Sequence, residues 1–182
     1  MPRQVAPLKF RTFRQAAGLI GEMIREGAVD PDVRKKALEI IAPIREGNAE
    51  DELTALLRFA QRGVAYRNDP FNADLYQTPN LTLENLSGDC DDKVILLGSL
   101  AGSVGYPVML AFLFDEPVGA VPDLEADSPV HVFLYLDAFA GTNPDPYWMA
   151  AETITVPVGR DSRRFLNLGE AWDKGYVETI PL

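Results

Sequence analysis

Apolar residues recur at helical spacing over residues 11–27 and again over 31–47, the second run opening on Pro31 and closing at Gly47, which predicts two short amphipathic helices. A third is expected over 50–66, where Leu53, Leu56, Leu57, Ala60 and Val64 repeat at three and four. Its acidic start, Glu50, Asp51 and Glu52, suits the positive end of a helix dipole. Residues 67–88 carry two prolines and several Asn and Asp with no sustained period, so an ordered loop is predicted, of a length that often carries function. The next run, CDDKVILLGSLAGSVG, is apolar nearly all round after its first turn, the pattern of a buried helix closed by Gly105. Two β-rich runs follow, 106–114 and 130–136, separated by an acidic Pro/Gly loop, and both read as central strands. A turn rich in Gly, Asn and Pro at 138–145 then leads to a third strand near 147–156, and the tail adds a short one near 172–179.

Length and composition fit this order of elements. The chain has 182 residues, 47% of them hydrophobic, enough for one full core. The expected organisation is a helical extension over 1–48 and a main domain over 49–182, forming one compact unit. The uncharged stretch 94–113 is broken by Gly98, Gly102, Gly105 and Pro107, so no membrane span is expected. The first residues lack the apolar core of a secretory leader, which makes a cytoplasmic setting the expectation. A net charge of −10 without a dense basic patch excludes nucleic acid as a natural partner. The five carboxylates of the loop between Asp115 and Asp127 favour a basic polypeptide instead.

The single cysteine excludes an internal disulfide, and one Cys with one His cannot build a structural zinc site. What remains is a free thiol. Gly88 permits a tight turn, Asp89 is a good helix N-cap, and Cys90 then falls in the first turn, where unpaired N–H groups and the dipole stabilise a thiolate. Asp89, Asp91 and Asp92 push the other way, since negative charge raises a thiol pKa, so Cys90 needs a base. His131 is the only histidine in the chain. Alone, a cysteine is more often a small buried hydrophobe and a strand histidine more often a core residue. Together they form the one Cys–His pairing available. A hairpin of 130–137 with 146–153, centred between Gly141 and Thr142, puts His131 opposite Glu152 and Tyr135 opposite Trp148. Glu152 then orients the imidazole as the third member of a triad. A slip of one residue would turn it to the other face and leave a solvent-facing glutamate.

The order GDCDDKVILLGSLAGSVGYPV, HVFLYL and YWMAAET resembles the transglutaminase-like superfamily: Gly-x-Cys at the head of a helix that ends in a Gly-aromatic-Pro step, a strand histidine, and Trp-x-x-x-acid on the next strand. Within it, the sequence looks most like transglutaminase-like proteins of bacteriophages and prophages, in which a QTP segment, here Gln77 to Pro79, precedes GDCDD. The resemblance spans roughly 50–156. It implies an α+β, papain-like fold, with a buried helix bearing the cysteine packed on an antiparallel sheet, and acyl transfer through a thioester without a cofactor or metal. It casts Cys90 as nucleophile, His131 as base and Glu152 in place of the usual aspartate. Because Glu is one methylene longer, Asp137 on the histidine strand is an alternative orienter. Gln77 is a candidate oxyanion donor beside the backbone N–H of Cys90, although an ordinary polar loop residue is an equal reading. Tyr76 and Trp148 read as aromatic walls of the cleft.

Two functions are consistent with these residues. One is an enzyme that cleaves or transfers protein or peptide amides as a protease, deamidase or transamidase, hydrolysis and transamidation differing only in what resolves the thioester. The other is a non-catalytic, phage-related structural or interaction protein that keeps the fold while the triad drifts. A hard-cation site at Asp89, Asp91 and Asp92 fits poorly, because three near-consecutive helix-start residues are not the spaced, Gly-interrupted loop such sites use.

Overall fold

The helices form where sequence supplies both a face and a start. In the computed structural model, which describes residues 13–45, 47–69, 75–114, 129, 131–138, 148–154 and 177–182, helix α1 (Phe13–Ala28) buries Ala17, Ile20, Met23 and Ile24 along one side. Helix α2 (Pro31–Ile41) starts on Asp30, whose carboxylate accepts from the Asp32 and Val33 N–H groups at 2.8 and 3.2 Å. It stops short of Gly47 because Pro43 has no N–H with which to continue the ladder. Helix α3 (Ala49–Arg58) takes Asn48 as its cap and carries the acidic first turn. It does not run to Tyr66. A π-helical turn (Phe59–Gly63) ends it, and strand β1 (Ala65–Tyr66) then pairs in parallel with β2 (Ser87–Gly88).

The stretch expected to be loop contains helix α4 (Pro79–Asn85). Thr78 accepts from the Leu81 N–H, Pro79 occupies the first turn, and Leu86 closes the helix in the left-handed region at φ 47°. Seven residues are too few for a period to show, whereas the Thr-Pro start is a legible signal.

Helix α5 (Cys90–Ser103) is the centre of the core. Val94 to Leu97, Leu100 and Ala101 have no exposed surface, and α1, α2, α3 and α4 all pack against it. At the α1 crossing the backbones approach so closely that a Cβ on Gly27 would lie 2.3 Å from Ser99 Oγ. Ser99 Oγ donates to the carbonyls of Ile95 and Ile24, at 2.7 and 3.3 Å, so the buried hydroxyl is satisfied. Arg34 donates to the Ser103 carbonyl at the far end of α5. Residues of α1 and α2 thus share one core with the cysteine helix.

Strands β3 (Val108–Leu113), β4 (His131–Asp137), β5 (Trp148–Ala151) and β6 (Val177–Pro181) form an antiparallel sheet in the order β5-β4-β3-β6. Val108, Leu110, Phe112, Val132, Leu134 and Leu136 face the helices. Met109, Ala111, Leu113, Phe133 and Tyr135 build a second apolar cluster on the opposite face, joined by Trp148, Ala150 and Val177. Burial on both faces explains why the two central strands read as continuous apolar runs. The architecture is therefore α+β, as expected, with the cysteine helix laid on an antiparallel sheet.

One expectation about the sheet is corrected. Tyr135 pairs with Ala150 and Trp148 with Asp137, so the β4–β5 register is displaced by two residues from the expected hairpin. The ladder ends at Ala151, which leaves Glu152 beyond it rather than directly across from His131. A displacement of two preserves side-chain facing, because the strand period is two. The turn that sets this register lies outside the described residues, as does the acidic loop 115–127. Among the described residues no helix is long and apolar enough to cross a membrane.

Candidate thiol site

The start of α5 is held by a capping box made of aspartates. Asp89 Oδ1 accepts from the N–H groups of Asp91 and Asp92 at 3.1 and 3.3 Å, and Asp92 Oδ2 accepts from the Asp89 N–H at 3.3 Å. Asp92 is only 1% exposed and is clamped by Gln77, whose backbone N–H and side-chain Nε2 donate to its two oxygens at 2.7 and 2.6 Å. Gly88 is required here for space, since a Cβ on it would sit 2.5 Å from the Asp92 Cβ. Gln77 Nε2 also donates to the Ser87 carbonyl at 3.2 Å, and its Oε1 accepts from Asn85 Nδ2 at 3.1 Å. Both hydrogens of the Gln77 amide are thus engaged, and the residue ties the preceding segment to the helix start.

Cys90 is half-buried, and its thiol donates to Asp91 Oδ1 at 3.5 Å. Burial pushes the thiol pKa up, and the charges of Asp91 and Asp89 push it further. The helix dipole is outweighed. Asp89 itself is pushed up to about 8, chiefly by burial and then by the charges of Asp91 and Asp92. Its folded pKa therefore lies above its unfolded value of 3.8, so its contribution to stability is complete below pH 3.8 and is lost as pH rises from there through about 8. Asn caps helices as well as Asp does. Asp89→Asn is expected to raise the melting temperature at pH 9 by ~2–4 °C, for about 1 kcal/mol of relieved charge burial, and to change little at pH 4. An equal change at both pH values in thermal melts would contradict this.

At the sheet, His131 Nε2 lies 2.6 Å from Glu152 Oε2. The other Glu152 oxygen accepts from the Ile154 N–H at 2.8 Å, and the Glu152 carbonyl accepts from Gln61 Nε2 at 2.7 Å. The glutamate is therefore fixed at three points. His131 lies on the same sheet face as Phe133, whose ring it stacks on at 6.4 Å between centroids. Its Nδ1 is buried and has no hydrogen-bond partner among the described residues. No hydrogen bond joins Cys90 to His131 among the described residues.

The remaining expected site residues fall elsewhere. Asp137 is at the opposite end of β4, six residues from His131 or about 20 Å of extended chain, so the structure does not bring it to the imidazole. Trp148 pairs with Asp137 at that same end and packs in the second apolar cluster, away from the Glu152 end of β5. Tyr76 is buried in the main core. Asp89, Cys90 and Asp91 offer ligand atoms within 4.8 Å of one another, but Asp89 Oδ1 already serves the helix N–H groups and the thiol is bonded to Asp91. These are capping contacts rather than a ligand set.

Lys93 was not singled out by the sequence reading. It is 2% exposed, one turn after Cys90, and its Nζ donates to the carbonyls of Val64 and Gln61 at 3.1 and 3.4 Å. The legible signal was the one basic residue of a helix that is apolar after its acidic first turn.

No protein-family model matches the sequence, and no curated protein does. Among solved structures, a candidate protease from Parabacteroides distasonis aligns with a TM-score of 0.52 at 11% identity, over 82% of this chain and 32% of its own. The chain shares the fold of the aligned part of that protein. A candidate cysteine protease from Cytophaga hutchinsonii aligns with a TM-score of 0.47 at 18% identity, over 82% of this chain and 46% of its own. The chain spans less than half the length of either.

Proposed function

We propose that this chain is a transglutaminase-like cysteine enzyme of phage or prophage type, transferring acyl groups from protein or peptide amides through a thioester on Cys90. The observation that carries the reading is the state of the sole histidine: Nε2 bonded to Glu152 at 2.6 Å, Nδ1 buried with no partner. A carboxylate on Nε2 keeps the proton there and leaves Nδ1 with its lone pair, the form required of a base. His131 opens β4 on the Phe133 face, so the reaction has the imidazole and the thiol meet past the end of that strand; there Nδ1 takes the Cys90 proton, the thiolate attacks the amide carbonyl, and the imidazolium is stabilised by Glu152. The backbone N–H of Cys90, in the first helical turn, is the donor nearest to hand for the oxyanion. His131 then gives its proton to the leaving amine, and water or a second amine resolves the thioester.

Glu152 in place of aspartate follows from its position, since a residue beyond the ladder end needs an extra methylene to reach the imidazole. The net charge of −10 supports a basic polypeptide substrate. The proposal places the reaction in the cytoplasm and takes residues 1–48 and 49–182 to act as one unit, a reading supported by the core that α1 and α2 share with α5.

The second reading, a non-catalytic interaction protein, draws on the thiol being bonded to Asp91 rather than to His131. Incubation with p-nitrophenyl acetate, followed by intact mass measurement, separates the two. An acetyl adduct on Cys90 in the wild type, absent from His131→Ala, is the expected result. Equal adduct formation in both proteins would leave only the second reading.

A further inference from the structure

The group with the largest apparent cost and no part in the mechanism above is the Lys93 ammonium. A lysine is almost never fully buried without partners, and α5 would pack as well with Met or Leu at this position. Its partners come from an irregular piece of backbone. The π-helical turn that ends α3, a geometry that recurs at functional sites, frees the carbonyl of Gln61, and the residue after the turn presents the carbonyl of Val64. Lys93 donates to both. The Gln61 side chain continues the path, its Nε2 donating to the Glu152 carbonyl at 2.7 Å. Glu152 in turn holds His131. A single line of hydrogen bonds thus runs from the first turn after Cys90, through the π-helical turn, to the imidazole.

We propose that Lys93 and Gln61 are positioning residues that brace the cysteine helix against the Glu152–His131 pair and fix the separation of thiol and base. Helix α5 and the hairpin strands are far apart in sequence, and sheet and helix packing alone is apolar and permits sliding. Directional bonds from the middle of the π-helical turn and from the residue just after it remove that freedom. Burial lowers the Lys93 pKa and the charge of Glu152 counteracts that lowering, which agrees with an ammonium held on the glutamate's side of α5. The inference rests on Cys90 and His131 forming the working pair, but its test does not.

Because His131 is the only histidine, its imidazole ¹⁵N and ¹H signals identify themselves in the full chain. The wild type is expected to show one tautomer, protonated on Nε2. Gln61→Met and Lys93→Met are each expected to lose that fixed tautomer while remaining folded, and to slow Cys90 alkylation at pH 7 by about 10- to 100-fold, the scale of a misplacement near 1 Å. A role confined to core filling would lower the melting temperature and leave the imidazole signals in place. Folded variants with wild-type imidazole signals overturn the brace, as does a wild type without a fixed tautomer. Should Lys93→Met fail to fold, Gln61→Met, at a half-buried position, decides alone. If wild-type alkylation proves independent of His131, the enzyme reading fails while the imidazole spectra still judge the brace.

Discussion

Replacing His131 with alanine is expected to slow alkylation of Cys90 at pH 7 by about 10²–10⁴-fold, the usual contribution of a positioned base. The size follows from the setting of the thiol. Burial, then Asp91 and Asp89, hold it protonated, and the helix start cannot compensate. A cysteine at a favourable helix terminus without such neighbours would keep much of its reactivity when its base is removed. Here the variant should react only at strongly alkaline pH, whereas the wild type should react well below the ordinary thiol pKa of ~8.5. The measurement is the alkylation rate with iodoacetamide against pH for both proteins. Superimposable profiles would remove the case for a working pair.

Phe133→Ala is expected to cost about 3–5 kcal/mol. The ring is wholly buried in the apolar cluster behind the sheet, meets Tyr135 edge-on at 5.2 Å and stacks under His131. Most domains hold only about 5–15 kcal/mol in total, so the variant stands close to unfolding. Its urea midpoint should fall with the slope unchanged, and the His131 tautomer should become mixed as the ring's support is lost. Phe133→Leu, which keeps most of the volume, should retain most of the stability. A loss under about 1 kcal/mol for the alanine variant would mean that the cluster behind the sheet is not packed as described.

The sequence showed its long-period features well. Helix α1 announced itself through residue spacing, α3 and α5 also through the chemistry of their first turns, and β3 and β4 through unbroken apolar runs. What it hid was set by tertiary contact. The π-helical turn that ends α3 is bonded by a lysine from another helix, which no local window contains. The β4–β5 register depends on a turn with several Gly, Asn and Pro candidates, and composition alone placed it two residues away. Glu152 still met His131 because a displacement of two residues kept its face. Gln77 was legible as a polar residue near the helix start, but its partner, the buried carboxylate of Asp92, was not, and so its clamping contacts were missed. Lys93 was passed over because a charged residue among helix-start aspartates reads as solvated.

The aspartate cap of α5 has a chemical consequence of its own. Peroxide, like alkylating agents, attacks the thiolate rather than the thiol, and Cys90 is the only sulfhydryl in the chain. A thiol kept protonated by its own helix cap is spared oxidation to sulfenic and sulfinic acids for as long as its proton is not taken. The carboxylates that hold this proton thereby limit oxidation of Cys90 in any state where His131 does not take it.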